Sequence, residues 1–493
     1  MVLPADEKLL PVVSGNRSGP LTFHKQKVMV KITAPVLKGN TADLDIVAVM
    51  DISGSMKGTK LQLLKQAMKG LVDTLGDNDR LAIFAFNSKV VERHSKELAI
   101  MKNKTKVEYQ TMLDTLEVGG GTNIKDALKR AITTLMKRED QKEKRRRAAC
   151  IFLMSDGEQN NGGDARTILE IPEFTVHTFG LGTRHDELVL AEIAYRSTGG
   201  VYSNVPDNML GKFKEFMQAQ LGLHRSVTAL DVKVTLTPTR PVLTPTSLAL
   251  KGGPPKDQVE AKEQKVGSIG VDAGDYMVTD GYTIEKELMI ANGSRVIRFG
   301  DLARDEVRRI IVDIPLHGIT DPIVKPEEVL KVDCFYRLPH EMPSKPVTVS
   351  VEFIRDKDAD QYEMKADLKR ELVRRDQAEY LRMVKLWTEN KGVDLGKARG
   401  KVEEARGAVD EYFNGIDGNK LKDEFYEELG NLDNFLVRNA TVDDKKLCRA
   451  YLLACLSSHG RQRFAGRGGE DGESPLYLTP RMKKYINSAK KSP

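Results

Sequence analysis

The stretch DLDIVAVM, Asp43 to Met50, is an almost unbroken apolar run, and the residues after it turn at once to DISGSMKGTK. A short apolar run bounded by a glycine-containing turn is the pattern of a strand buried on both faces, which occurs almost only in parallel sheets covered by helices. The residues that follow, TKLQLLKQAMKGLVDTL, place Leu61, Leu64, Met68, Leu71 and Leu75 at steps of three and four, the stripe of an amphipathic helix. The same alternation continues through RLAIFAF, NIKDALKRAITTLMK, AACIFLMSDG, FTVHTFGLG, DELVLAEIAYRS, the short edge GGVYSNV and the helix NMLGKFKEFMQAQLGL. Strands alternating with helices from residue 43 to 223 predict a doubly wound, Rossmann-like α/β unit whose ligand site lies at the carboxyl ends of its strands.

Three strand-end loops then gather one kind of chemistry. DISGS supplies Asp51, Ser53 and Ser55; the glycine-rich EVGGGTNIKD supplies Thr122 just before a helix; MSDGEQNNGG supplies Asp156 at the end of a strand. These are hard oxygen donors, which suit small cations such as Mg²⁺ and Mn²⁺. Neither histidine nor cysteine is among the five, and no general base stands out in the loops, which points to binding in place of catalysis. Glu158, two residues past Asp156, is open to either of two roles: supporting the site or repelling acidic ligands.

Other segments have different textures. Leu21 to Pro35 alternates well enough for a strand, and from Ser226 to Asp356 about seven β-runs separated by turn residues predict an antiparallel β-sandwich. The expectation is that residues 21–37 are a strand of that sandwich, with the α/β unit inserted after it. Residues 364–460 carry four helical runs, whereas residues 1–20 and 461–493 are expected to be flexible, the latter a basic tail with RQRFAGRGGEDGES too glycine-rich to pack. Within YLTPRMKKYINSAKKSP, both a folded-back short helix and a docking segment are open.

Composition removes several classes. The net charge of +6 is spread along the chain, and its densest cluster, KREDQKEKRRR, has no aromatic residue, so nucleic-acid binding is not expected. Cys150, Cys334, Cys448 and Cys455 are too scattered for a disulfide framework or a zinc array; the last two, seven apart, share one helical face suited to packing. With no signal-peptide pattern and no membrane-spanning run, the expected location is the cytoplasm or nucleus.

The five oxygen donors, in order and on these elements, resemble the metal-ion-dependent adhesion site of von Willebrand factor A domains: an Asp-x-Ser-Gly-Ser turn, a distant Thr, and a strand-end Asp followed by Gly. That resemblance implies Mg²⁺ or Mn²⁺ held by Asp51, Ser53, Ser55, Thr122 and Asp156, with a coordination position left for an Asp or Glu of a protein partner. In integrin-type members, filling that position also moves the last helix of the domain, here Asn208 to Leu223. The order of A domain, sandwich and helices is similar to the plant proteins related to the wavy-growth RING ubiquitin ligases, also called inter-alpha-trypsin-inhibitor heavy-chain-related. The implied functions are a non-enzymatic, metal-dependent interaction protein, a substrate-recruiting subunit of a ubiquitin ligase whose RING is on another chain, or an accessory subunit of an ATP-driven machine. The four cysteines cannot form a RING, so ligase activity is not expected to carry over.

Overall fold

The computed structural model describes residues 10–15, 18–19, 24–36, 42–138, 147–168, 174–239, 269–272, 277–278, 283–284, 288–289, 294–316, 323–339, 346–355, 366–414, 420–437, 441–468 and 476–491. The chain enters through β1 (Leu10–Gly15), β2 (Ser18–Gly19) and β3 (His24–Thr33). Residues 10–15 and 18–19, expected to be flexible, are therefore strands; β1 pairs along β3, whose apolar alternation offers it a ladder.

The α/β unit follows. Its strands are β4 (Leu44–Asp51), β5 (Arg80–Phe86), β6 (Val90–Ile100), β7 (Ala148–Ser155), β8 (Thr175–Leu181) and β9 (Tyr202–Val205), in spatial order β6-β5-β4-β7-β8-β9. All pair in parallel except β6, which runs antiparallel at one edge. Helices α1 (Thr59–Thr74), α2 (Asn103–Asp114), α3 (Ile124–Met136), α4 (Glu187–Arg196) and α5 (Phe213–His224) cover the two faces. Because side chains alternate across a strand, β4 feeds both: Val47 and Val49 join α3 and α4 on one side, while Ile46, Ala48 and Met50 join α1 and α5 on the other.

At the amino-terminal end of this sheet the buried Asp45 is held by Arg80 and Arg147, both at 2.7 Å or closer. Burial alone would raise its carboxyl pKa, but the hydrogen bonds and charges of these arginines hold it below the usual range. Arg147, the last residue of the basic cluster, thus neutralises a core carboxylate, as does Arg138 near the start of the cluster; residues 139–146 lie outside the described residues.

The α/β unit returns to β-structure at β10 (Val227–Pro238), followed by β11 (Ile269–Asp272), β12 (Met277–Val278), β13 (Thr283–Ile284), β14 (Leu288–Met289), β15 (Arg295–Ala303), β16 (Val307–Leu316), β17 (Ile323–Arg337) and β18 (Val347–Arg355). Besides the two-stranded β12-β13 pair, two larger sheets result, β1-β3-β16-β14 and β11-β15-β10-β17-β18-β2, and their apolar residues form one core, with Val30, Ile310 and Val312 from the first and Val234, Ile297 and Val332 from the second. The long pairs are antiparallel, while the short strands β2, β11 and β14 pair in parallel. Strand β3 pairs with β16 from His24↔Leu316 to Thr33↔Val307, so the chain starts in the sandwich, leaves to build the α/β unit and comes back.

Helices α6 (Ala366–Thr388), α7 (Leu395–Phe413), α8 (Lys420–Val437) and α9 (Val442–Arg461) then pack on the α4 side of the α/β unit, sharing its apolar cluster through Leu381, Trp387, Leu452 and Cys455. Both Cys448 and Cys455 are buried, and burial pushes their thiols well up. No helix among the described residues is long and apolar enough to cross a membrane.

The segment expected to be a flexible tail is instead one of the most buried parts of the molecule. Arg463, Phe464 and Ala465 are 2 % exposed or less. The Arg463 guanidinium bonds to Glu306 at 2.9 Å and to the Gly199 carbonyl at 2.7 Å, and it also reaches the Asp301 carbonyl. Phe464 packs edge-on against Phe216 of α5. Gly466 runs beside β9, donating to Ser203 Oγ while its carbonyl accepts from Asn204; a methyl group there would lie 2.3 Å from the Phe216 ring. Arginine and glycine lower hydropathy, but here the charges meet fixed partners and the missing side chains allow close approach. The remainder forms α10 (Pro480–Lys491), laid along α5 through Met482 and Ile486, with Tyr485 over Gly222. Residues 469–475 of the expected tail lie outside the described residues.

Inside the α/β unit, His177 of β8 and His224 of α5 meet at 2.9 Å between their Nε2 atoms, both wholly buried. Burial pushes both imidazoles down, helped by the Arg463 charge at both and by His224 at His177; His224 falls to about 3, so the pair is neutral and one ring donates to the other. The unfolded chain takes up protons here below about pH 6.5 and the folded chain does not, so stability is full above that pH and falls as pH drops beneath it. The expected result is a smaller urea midpoint at pH 5 than at pH 7, with the difference reduced in a His177→Asn, His224→Gln variant. An undiminished difference would place the acid sensitivity elsewhere.

Candidate metal centre

Asp51 is the last residue of β4, and Asp156 follows the last residue of the adjacent β7. Parallel pairing in register therefore brings both carboxylates to one edge of the sheet. Between them the loops are stitched by backbone: Gly54 donates to the Gly120 carbonyl at 3.1 Å, and Gly119 donates to the Ile52 carbonyl at 2.9 Å. Gly120 has φ +77°, a conformation that a side chain would strain. This is how the Thr122 loop reaches the DISGS turn.

The polar atoms form a continuous chain. Asp51 Oδ1 accepts from the Ser53 amide at 2.8 Å, and Asp51 Oδ2 accepts from Ser155 Oγ at 2.6 Å. Ser53 Oγ and Ser55 Oγ are 3.1 Å apart, and Ser55 Oγ donates to Asp156 Oδ1 at 2.7 Å. Thr122 Oγ1 lies on the same side as Ser55: a methyl group built on Gly157 would lie 2.9 Å from Thr122 Oγ1 and 3.5 Å from Ser55 Oγ. Behind it, the Thr122 amide donates to Asn160 Oδ1 and its carbonyl accepts from the Asn160 and Asn161 amides. Asp51, Ser53, Thr122 and Asp156 are buried, whereas Ser55 is exposed, so the cluster opens to solvent on one side.

All five sequence-selected residues converge. Sequence reasoning missed two others. Ser155, the residue before Asp156, fixes Asp51; its position next to the strand-end acid was the available signal. Lys60, in the first turn of α1, places Nζ 2.7 Å from Asp156 Oδ2, and nothing in its local sequence marks it. Glu158, left open between two roles, is mostly exposed and pairs at 2.7 Å with Lys446 of α9.

Burial raises the Asp51 carboxyl to about 6; hydrogen bonds from Ser155 and Ser53 counter this, and the Asp156 charge adds slightly to it. Two buried carboxylates in contact through hydroxyls, with an ammonium already drawn to one of them, make a cation-attracting centre. No cluster of three or more His, Cys, Asp or Glu side chains suited to a metal occurs among the described residues, so a cation here would depend on hydroxyl donors. The donor set fits a small hard cation.

A family model for the von Willebrand factor type A domain matches residues 44–203, the α/β unit that carries this cluster. Two solved structures share the arrangement over almost the whole chain. A von Willebrand factor type A protein from Catenulispora acidiphila matches with a TM-score of 0.65 at 14% identity, covering 92% of this chain and 98% of that one. The ArnB paralog VWA2 from Sulfolobus acidocaldarius matches with a TM-score of 0.56 at 15% identity, covering 92% and 97%. The α/β unit of this chain, residues 44–203, is a von Willebrand factor type A domain.

Among curated relatives it is similar to the E3 ubiquitin-protein ligase WAV3 of Arabidopsis thaliana, 28% identical over 279 residues that cover 55% of this chain and 31% of the ligase. It is also similar to the uncharacterized protein sll0103 of a Synechocystis species, 28% identical over 199 residues, 38% of this chain and 45% of that one. The chain thus spans less than half the length of these relatives.

Proposed function

We propose that this protein is a metal-dependent protein-interaction module, binding an Asp or Glu of a partner protein through Mg²⁺ or Mn²⁺ held by Asp51, Ser53, Ser55, Thr122 and Asp156. The observation that carries the reading is the convergence of two buried carboxylates and three hydroxyls at a solvent-facing sheet edge. Hydroxyl donors bring no negative charge of their own, so a divalent cation held largely by them keeps enough positive charge to gain from an external carboxylate. No residue of the cluster is an activated nucleophile, and the function is one of binding. The similarity to WAV3 over more than half of the chain supports a narrower version, in which the bound partner is a substrate or component of a ubiquitin ligase.

A pull-down with the full chain in Mg²⁺ and in EDTA tests the main reading, which requires a partner retained only in Mg²⁺. Thr122→Ala removes one hydroxyl donor without touching the core. The expected result is Mn²⁺ binding weakened by about tenfold in calorimetry, in line with the loss of one charge-assisted contact, with an unchanged circular dichroism spectrum. Metal and partner binding equal to wild type in Thr122→Ala would remove Thr122 from the site.

A further inference from the structure

Lys60 stands beside the candidate cluster between two acids of different exposure and pairs with one of them. Its side chain is 18% exposed, and its ammonium lies 2.7 Å from Oδ2 of the fully buried Asp156. On its other side is Asp207, an exposed residue that opens the short 3₁₀ turn leading into α5. Gly182, at φ +75°, separates the two: a methyl group there would be 2.7 Å from Lys60 Nζ and 2.8 Å from Asp207 Oδ1. Lys60 and Asp207 therefore border one small gap. Asp207 uses Oδ2 to accept from the Thr183 amide at 3.1 Å and from Thr183 Oγ1 at 2.9 Å, while its Oδ1 accepts from no described residue.

The charges explain what such an arrangement does. Without a metal, Asp51 and Asp156 are two buried acids linked through hydroxyls, and a single ammonium offsets part of their repulsion. A divalent cation among the hydroxyls takes over that task, and it then repels the ammonium across a few ångströms of partly buried space. Lysine is suited to a move because its charge sits at the end of a flexible stem.

We propose that Lys60 is a transferable counterion, neutralising Asp156 in the metal-free site and passing to Asp207 when a divalent cation binds. The inference rests on the metal reading of the cluster given above. It makes metal binding reversible by design, since the protein's own cation competes for the site. It also carries the metal state to the start of α5 through a charge that changes partner.

Calorimetric titration of Mn²⁺ into the full-length protein tests this with three variants. Lys60→Gln removes the charge while its amide can still donate to Asp156, and should bind Mn²⁺ about tenfold more tightly. Asp207→Asn removes the second acceptor and should bind about tenfold more weakly, because Lys60 then has nowhere to go. In the double variant the Asp207→Asn effect should vanish. Thermal unfolding supplies a second readout: Mn²⁺ should raise the melting temperature of Lys60→Gln by more than that of wild type. Wild type binding Mn²⁺ while Lys60→Gln binds no more tightly would overturn the counterion alone. An Asp207→Asn loss that persists in the Lys60→Gln background would overturn the transfer. If neither wild type nor Lys60→Gln binds Mn²⁺, the metal reading itself falls and this inference falls with it.

Discussion

Replacing Arg463 by methionine is expected to destabilise the protein by about 3–5 kcal/mol, the cost of breaking a buried ion pair by removing one partner. Methionine keeps most of the apolar stem, so the loss reports the guanidinium. That group holds together residues from three parts of the chain: Glu306 between two sandwich strands, the Gly199 carbonyl before β9, and its own segment after α9. Without it, the carbonyls of Gly199 and Asp301 lose this donor, and among the described residues Glu306 keeps only Arg308, at 2.7 Å, as a cationic partner. The pH dependence follows from the acid. Burial would raise the Glu306 carboxyl, but the charges of Arg308 and Arg463 and the hydrogen bonds made to it bring it to about 2. A carboxyl depressed in the folded state stabilises above its unfolded pKa, near 4.3, and that contribution is lost as pH falls from there towards 2. Urea denaturation at pH 7 and pH 4 should show the Arg463→Met penalty at both, and the penalty should shrink below pH 4 as Glu306 of the wild type takes up a proton. An unchanged urea midpoint would show that the buried segment is held by packing alone.

The second large effect concerns the metal. Asp51→Ala should lower Mn²⁺ affinity at least about a hundredfold, because it removes one of only two carboxylates and leaves mainly neutral donors. It also frees Ser155 Oγ and the Ser53 amide, both oriented by Asp51, so the turn that presents Ser53 and Ser55 loses its anchor. Burial places the Asp51 carboxyl at about 6. Below that pH a proton must leave before the cation enters, so Mn²⁺ affinity should fall with pH by up to about tenfold per unit. Above it the affinity should level off. Calorimetry between pH 5 and 8 measures both limbs, and Mn²⁺ binding by Asp51→Ala as tight as wild type would move the metal to another place.

The parts of this molecule that could be seen in its sequence are those whose partners are of one generic kind. Strands β4, β5, β7 and β8 are apolar at nearly every position because both faces meet helices, and any helix will do. The five oxygen donors stood out because open α/β sheets put ligands at strand ends. Strand β6 escaped notice: VVERHSKELAI is an edge strand, mostly solvated, and its charges hide the alternation. Helix α2 escaped for a similar reason, with only Tyr109, Met112 and Leu113 buried. Lys60 and Ser155 acquire their roles from Asp156 and Asp51 across space, so no local pattern announces them. The error at residues 461–468 has the same root. Arg461, Arg463 and Arg467 look like solvated charge until Glu306, Glu428 and the carbonyls of Tyr195, Ser197 and Gly199 are brought to them by the fold.

Helix α5 has no free side: every residue from Glu215 to His224 is buried, under the sheet, under Phe464 and under α10. In time this means something that it does not mean in space. A ribosome delivers α5 well before the residues that cover it; the carbonyl that Gln220 Nε2 binds, that of Phe464, comes 244 residues later in the chain. At ~5–20 residues per second, that is a wait on the order of ten to fifty seconds. Through that interval the nascent α/β unit has its sheet and its strand-end acids but an open seam along its last helix, where Phe216 and Tyr202 await covers still to be synthesised. Chaperones that watch for exposed aromatic surface have their opening there, and an early stop codon would leave it permanently unsealed.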